Sequence, residues 1–156
     1  MRQVAVLGLG HDFRGDDRAG LLAARALAEQ NLPGVTILTE IGDTMDLLHG
    51  WTTASHVFVL DCYLSSIPEV LRLDLLQTPI AEIPLRTSSH FLNLREALEM
   101  GRNLGQLPSQ LIAYAIPGNQ FAFGQAVQPQ VMDCVEQTVA RVKSEIQHLL
   151  GEEAHA

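Results

Sequence analysis

Two rhythms of apolar residues run along the chain. Short unbroken runs at residues 2–9 (RQVAVLGL), 35–40 (VTILTE), 55–60 (SHVFVL) and 111–116 (LIAYAI) predict strands buried on both faces. Residues 70–75 (VLRLDL) alternate apolar and charged positions, the pattern of an edge strand with one wet face. Helical spacing fills the gaps. From Asp16 an Ala- and Leu-rich stretch carries Leu21, Leu22, Leu27 and Ala28 to a Pro33-Gly34 stop. Residues 42–49 hold a short helix, residues 94–104 another, and residues 131–150 a long amphipathic one. Residues 117–129 read as an irregular loop, and residues 151–156 as a disordered tail.

The order β-α-β-α-β-β-α-β-α predicts one α/β domain over residues 1–150. It is a three-layer sandwich, a mostly parallel sheet of about five strands with helices on both faces. Ligands of such sheets gather beyond the carboxyl ends of the strands. Attention therefore falls on the loops after Leu9, Leu60 and Ile116.

The first of these loops, VLGLGHDFRGDD, has the look of a phosphate cradle but not its chemistry. Phe13 stands where a dinucleotide fingerprint needs its third glycine, and no G-K-[ST] follows. Asp16 and Asp17 would repel a phosphate, whereas a helix N-terminus welcomes their charge. One aspartate suffices as a cap. The second is free to face the cleft. Asp61 closes the apolar run of the third strand, and His90 precedes a helix. Two carboxylates and an imidazole, with positions left open, make a divalent-metal site. His11 is a further ligand or a substrate contact. His49, His56, His148 and His155 join no constellation.

Composition narrows the classes. The chain has 156 residues, 47% of them hydrophobic and 18% charged, with a net charge of −8. That argues against a nucleic-acid-binding face, which needs clustered Lys and Arg. Cys62 and Cys134 form no CxxC pair, no stretch reaches the length of a membrane span, and no leader pattern opens the chain. The expectation is a cytoplasmic protein without a membrane or nucleic-acid partner, monomeric when free. There is no H-E-x-x-H helix and no G-x-S-x-G elbow. Strand alternation turns Cys62 away from Asp61 and into the core, against a cysteine nucleophile.

The segments VLGLGHDFRGDDRAG, HVFVLDCY and SSHFLNLREALEMGRNLG resemble, in that order, three motifs of the hydrogenase maturation endopeptidases. The resemblance runs from Met1 to about Leu150. It implies an endopeptidase that removes the C-terminal extension of a nickel-iron hydrogenase large-subunit precursor after nickel insertion. It further implies that Asp17, Asp61 and His90 contact the metal and carry catalysis, which leaves Asp16 the capping role, and that the substrate supplies the nickel. The isolated protein would then have an empty site or a surrogate divalent ion there. Either the metal activates water or the scissile carbonyl, or Asp16, Asp17 or Asp61 acts as general base. The alternative is a non-catalytic metal-sensing binding module or chaperone using the same cleft.

The chain departs from the family pattern at His11, where an asparagine is usual, and at Arg18, where a glycine is usual. After the second strand Glu40 or Asp43 fills the family's acidic position. Phe121 and Phe123 lie in a Gly/Gln-rich loop and are candidate docking residues, whereas Phe91 is expected to pack in the core.

Overall fold

The structure is a computed structural model that describes residues 3–52, 54–83 and 90–155. Five strands, β1 (Val4–Gly8), β2 (Val35–Leu38), β3 (His56–Leu64), β4 (Leu71–Asp74) and β5 (Gln110–Gly118), form one sheet in the order β2-β1-β3-β5-β4. All neighbours are parallel except β4, which runs antiparallel to β5 at one edge. Helices α1 (Ala19–Glu29) and α4 (Pro129–His155) cover one face, and α2 (Thr44–Thr52) and α3 (Phe91–Leu104) the other. The α/β sandwich and its mostly parallel sheet match the expectation.

Strand alternation divides the core into two layers. Val4, Val6, Phe58, Leu60, Ile112 and Tyr114 point toward Ala23, Leu27, Val135, Val142 and Ile146. Their neighbours Ala5, Leu7, Val57, Val59, Leu111 and Ala113 point toward Leu47, Trp51, Leu94 and Leu98. Gly20 sets how closely α1 lies on the sheet. A Cβ there would stand 2.4 Å from the carbonyl oxygens of both Leu9 and Leu60. The helix start is thereby held against the carboxyl end of β1 and the middle of β3.

Three boundaries differ from the sequence reading. β3 continues past Asp61 to Leu64, so Asp61 is an interior strand residue level with Ala115 rather than a terminal one. β5 passes through Pro117. Ser65 donates to the Gly118 carbonyl and Leu75 to that of Leu111, so Pro117 faces the β4 side. The β4 ladder ends at the Leu71–Ala115 pair, and the missing N–H of Pro117 leaves no partner wanting. The C-terminal helix runs from Pro129 to His155, longer than the 131–150 span that the apolar spacing marks, because Glu and Ala propagate a helix well.

A polar clamp fastens α4 to the β4–β5 edge. Arg72 donates to both carboxylate oxygens of Glu145, with its NH2 group 2.6 Å from one of them, and the Tyr114 hydroxyl donates to the other. The Arg141 guanidinium lies 5.0 Å over the Tyr114 ring. Burial, then the neighbouring carboxylate, pushes the Tyr114 phenol up to about 12. Burial alone would raise the Glu145 carboxyl, but the bonds from Arg72 and Tyr114 outweigh it and hold it below the ordinary value. Its stabilisation is thus present above the unfolded carboxylate value and is lost as pH falls through the lower folded value. Glu145→Gln should cost about 1–2 kcal/mol at neutral pH, and thermal melts should show this deficit shrinking in acid as the parent loses the same charge.

Candidate metal centre

The loop after β1 is tied down at two points before it turns toward α1. Leu9 N–H donates to the Leu60 carbonyl at 2.8 Å. Arg25, on α1, grips the Asp12 carboxylate with both terminal nitrogens, at 2.6 and 3.0 Å. A single 3-10 turn, Gly15–Arg18, then carries Asp16 and Asp17. Gly15 has φ +54°, and a Cβ there would stand 2.3 Å from the Gln120 carbonyl oxygen, so only glycine fits.

Asp16 is fully buried, and its role differs from the capping expected of it. Its carboxylate caps neither the 3-10 turn nor α1. It accepts bonds from the backbone N–H groups of Asn119 (3.0 Å), Gln120 (3.0 Å) and Gln128 (2.9 Å), and from the Gln128 side-chain amide (2.5 Å). Burial pushes its carboxyl upward, but these donors prevail and hold it below the usual value. Asp16 thus fuses the β1 loop with the loop between β5 and α4.

Asp17, one residue on, faces the opposite way. Its Oδ2 lies 2.5 Å from His11 Nδ1. The His11 ring stacks on that of His90, with centroids 5.1 Å apart and planes 22° from parallel. His90 sits just before α3, where its carbonyl accepts from the Leu94 N–H at 3.0 Å. One ligand atom from each of His11, Asp17 and His90 lies within 4.8 Å of the others, the one such group among the described residues. Asp17 and His90 are buried, while about half of the His11 side chain meets solvent. Burial, chiefly, lowers the His90 pKa and His11 lowers it further, against the pull of Asp17. His90 therefore stays neutral at physiological pH and can offer a lone pair.

These residues suit a divalent metal. Bonds of about 2.0–2.2 Å place two ligand atoms of one ion at most about 4.4 Å apart, close to the separation found. Two imidazoles and a carboxylate suit nickel, zinc, copper and iron, and such a set leaves coordination positions for a substrate. A His11 that donates Nδ1–H to Asp17 also has its other ring nitrogen available as a ligand.

The structure brings Asp17 and His90 together and adds His11, which the sequence reading ranked second. It does not bring Asp61 into that group. Asp61 is fully buried, and its Oδ1 accepts the N–H of Cys62 at 2.8 Å. It lies close enough to raise the Cys62 thiol pKa, as do Asp17 and Asp16, although burial is the larger cause. A thiol pushed so far up and packed in the core is no nucleophile at neutral pH.

The other candidates are dispersed. Asp43 caps α2 by accepting from the Asp46 N–H at 2.9 Å, a structural role. Glu40 is exposed beyond β2. Phe121 packs against the α1–α4 layer of the core. Phe123 is 79% exposed and meets Phe13, 68% exposed, at a ring distance of 6.1 Å. Gly124 N–H donates to the Phe13 carbonyl at 2.7 Å, so the fused loops carry an aromatic pair on their outer side. The expected packing of the Phe91 side chain and most of the segment before His90 lie outside the described residues. Among the described residues no helix is long and apolar enough to cross a membrane.

No family model and no curated protein matches the chain in sequence. Solved structures do match in three dimensions. An endopeptidase from Escherichia coli, solved in solution, is similar with a TM-score of 0.81 and 23% identity over 94% of this chain and 93% of that one. The hydrogenase maturating endopeptidase HybD from E. coli gives 0.76 and 22%, over 94% and 93%. The [NiFe] hydrogenase maturation protease HybD from Thermococcus kodakarensis gives 0.73 and 23%, over 91% and 97%. Over more than nine-tenths of its length, this chain has the fold of the hydrogenase maturation endopeptidases.

Proposed function

We propose that the protein is an endopeptidase that removes the C-terminal extension of a nickel-iron hydrogenase large-subunit precursor once nickel has been inserted, and that it recognises the nickel in its substrate. The observation that carries this reading is the convergence of His11, Asp17 and His90 at the carboxyl edge of a sheet with the maturation-endopeptidase fold.

In this reading Asp17 and His90, flanked by His11, complete the coordination of nickel that the precursor already holds. Asp61, buried at the same edge, joins them as the second carboxylate of the site. The shared ion would supply Lewis acidity toward the scissile carbonyl or toward water. Water adds to the carbonyl carbon, the C–N bond breaks, and the proton taken by a carboxylate base passes to the leaving amine. A precursor without nickel lacks the bridging ion and is spared, which makes cleavage report on metal insertion. Phe13 and Phe123, exposed on the loops that Asp16 fuses, anchor the precursor beside the site.

Mixing the purified protein with nickel-loaded precursor should release a C-terminal peptide, seen as a mass loss, while nickel-free precursor stays whole. Binding of the loaded precursor without shortening would instead make the protein a metal-sensing binding module.

A further inference from the structure

We propose that the open edge of β2 takes up an extended segment of the precursor by strand addition and leads it to the metal centre. The proposal rests on the processing reading. β2 is the outermost strand on its side, and among the described residues it pairs with β1 alone. Val4 N–H donates to the Gly34 carbonyl, which fixes the phase of the parallel ladder. Thr36 and Leu38 therefore face β1, whereas Val35 and Ile37 point both N–H and C=O outward. The strand VTIL is short, but it carries neither Lys nor Pro and no bulge.

A groove flanks each face of this edge. One, of about 300 Å³, is walled by Leu27, Leu32, Val35 and Ile37. The other, of about 370 Å³, is walled by Leu38, Ile41 and His49, with Glu40 and Asp46 on it. Successive side chains of an added strand point to opposite faces, so two neighbouring apolar residues would enter the two grooves.

Charge selects the occupant. No Lys or Arg occurs between Arg25 and Arg72, a stretch that supplies all of β2, α2 and β3. The edge thus favours a segment with apolar residues followed by Lys or Arg, and a net charge of −8 disfavours a second copy of the chain. Leu38 is level with Leu7, so a strand added parallel to β2 points its carboxyl end toward the same edge of the sheet as the loop that carries His11 and Asp17.

Pulse-labelled amide exchange during processing of nickel-loaded precursor tests this. The outward amides of Val35 and Ile37 should gain protection, while Thr36 and Leu38, already bonded to β1, should not change. Ile37→Pro, which removes an outward N–H and none of the donors to β1, should raise the KM for the precursor roughly tenfold with kcat kept, the loss of one main-chain bond and of the Ile37 side chain from the groove. Cleavage with unaltered exchange at Val35 and Ile37 overturns the edge proposal alone. Failure of the precursor to bind overturns the processing reading as well. Protection that instead rises with the concentration of this protein by itself assigns the edge to a second copy and also overturns the proposal.

Discussion

Asp17→Asn should slow processing of nickel-loaded precursor by roughly 10²–10⁴-fold, the range lost with a group acting at the reacting centre. The substitution keeps the size of the side chain and an oxygen for His11, but removes the charge that the proposed metal contact needs. His90→Ala should match it, because the neutral buried imidazole is the second convergent donor. His11→Ala should cost less, roughly 10–100-fold, as a partner that orients the Asp17 carboxylate. Asp61→Asn separates two roles for the buried carboxylate. A loss as large as that of Asp17 places it in the reaction, whereas a loss confined to thermal stability leaves it supporting the Cys62 amide. Rates follow from the mass of the precursor over time, with circular dichroism as the control for fold. Full activity of the Asp17 or His90 variant would remove that residue from the site.

Asp16→Ala should have the largest effect on stability. Three backbone donors and one side-chain amide converge on a carboxylate with no solvent access, and the truncation strands all four. Removing one partner of such a buried charged set costs about 3–5 kcal/mol. For a chain of this size that lowers Tm by roughly 6–20 °C. Asp16→Asn should fall between, since it keeps an acceptor but turns an amide toward donors. The bonds hold the folded Asp16 carboxyl below its unfolded value, so its contribution is present above the unfolded value and fades as pH drops through the folded one. The Asp16 variants should accordingly lose more stability at neutral pH than in acid. An Asp16→Ala protein with unchanged Tm would mean that the two loops are joined by other contacts.

The two aspartates show what a sequence reveals and what it conceals. Apolar runs and helical spacing place all five strands and four helices in order, because burial repeats locally at a period of 2 or 3.6. The sheet edge that gathers Asp17 and His90 follows from that order. The partners of Asp16 do not, since they lie more than a hundred residues away and a cap is the local answer for an aspartate before a helix. Asp61 looks terminal because the apolar run breaks at its charge, yet strand pairing with β5 continues for three residues beyond it. His11 and His90 stack only when the β1 loop and the start of α3 meet, a contact that neither segment encodes alone.

The proposed processing role requires this site to share the metal of its substrate. Nickel K-edge X-ray absorption on a rapidly frozen mixture of loaded precursor and protein tests it directly. The precursor's nickel should gain nitrogen and oxygen scatterers at roughly 2.0–2.2 Å, a gain that Asp17→Asn and His90→Ala should each diminish. A nickel spectrum identical with and without the protein, while the precursor is still shortened, would contradict it.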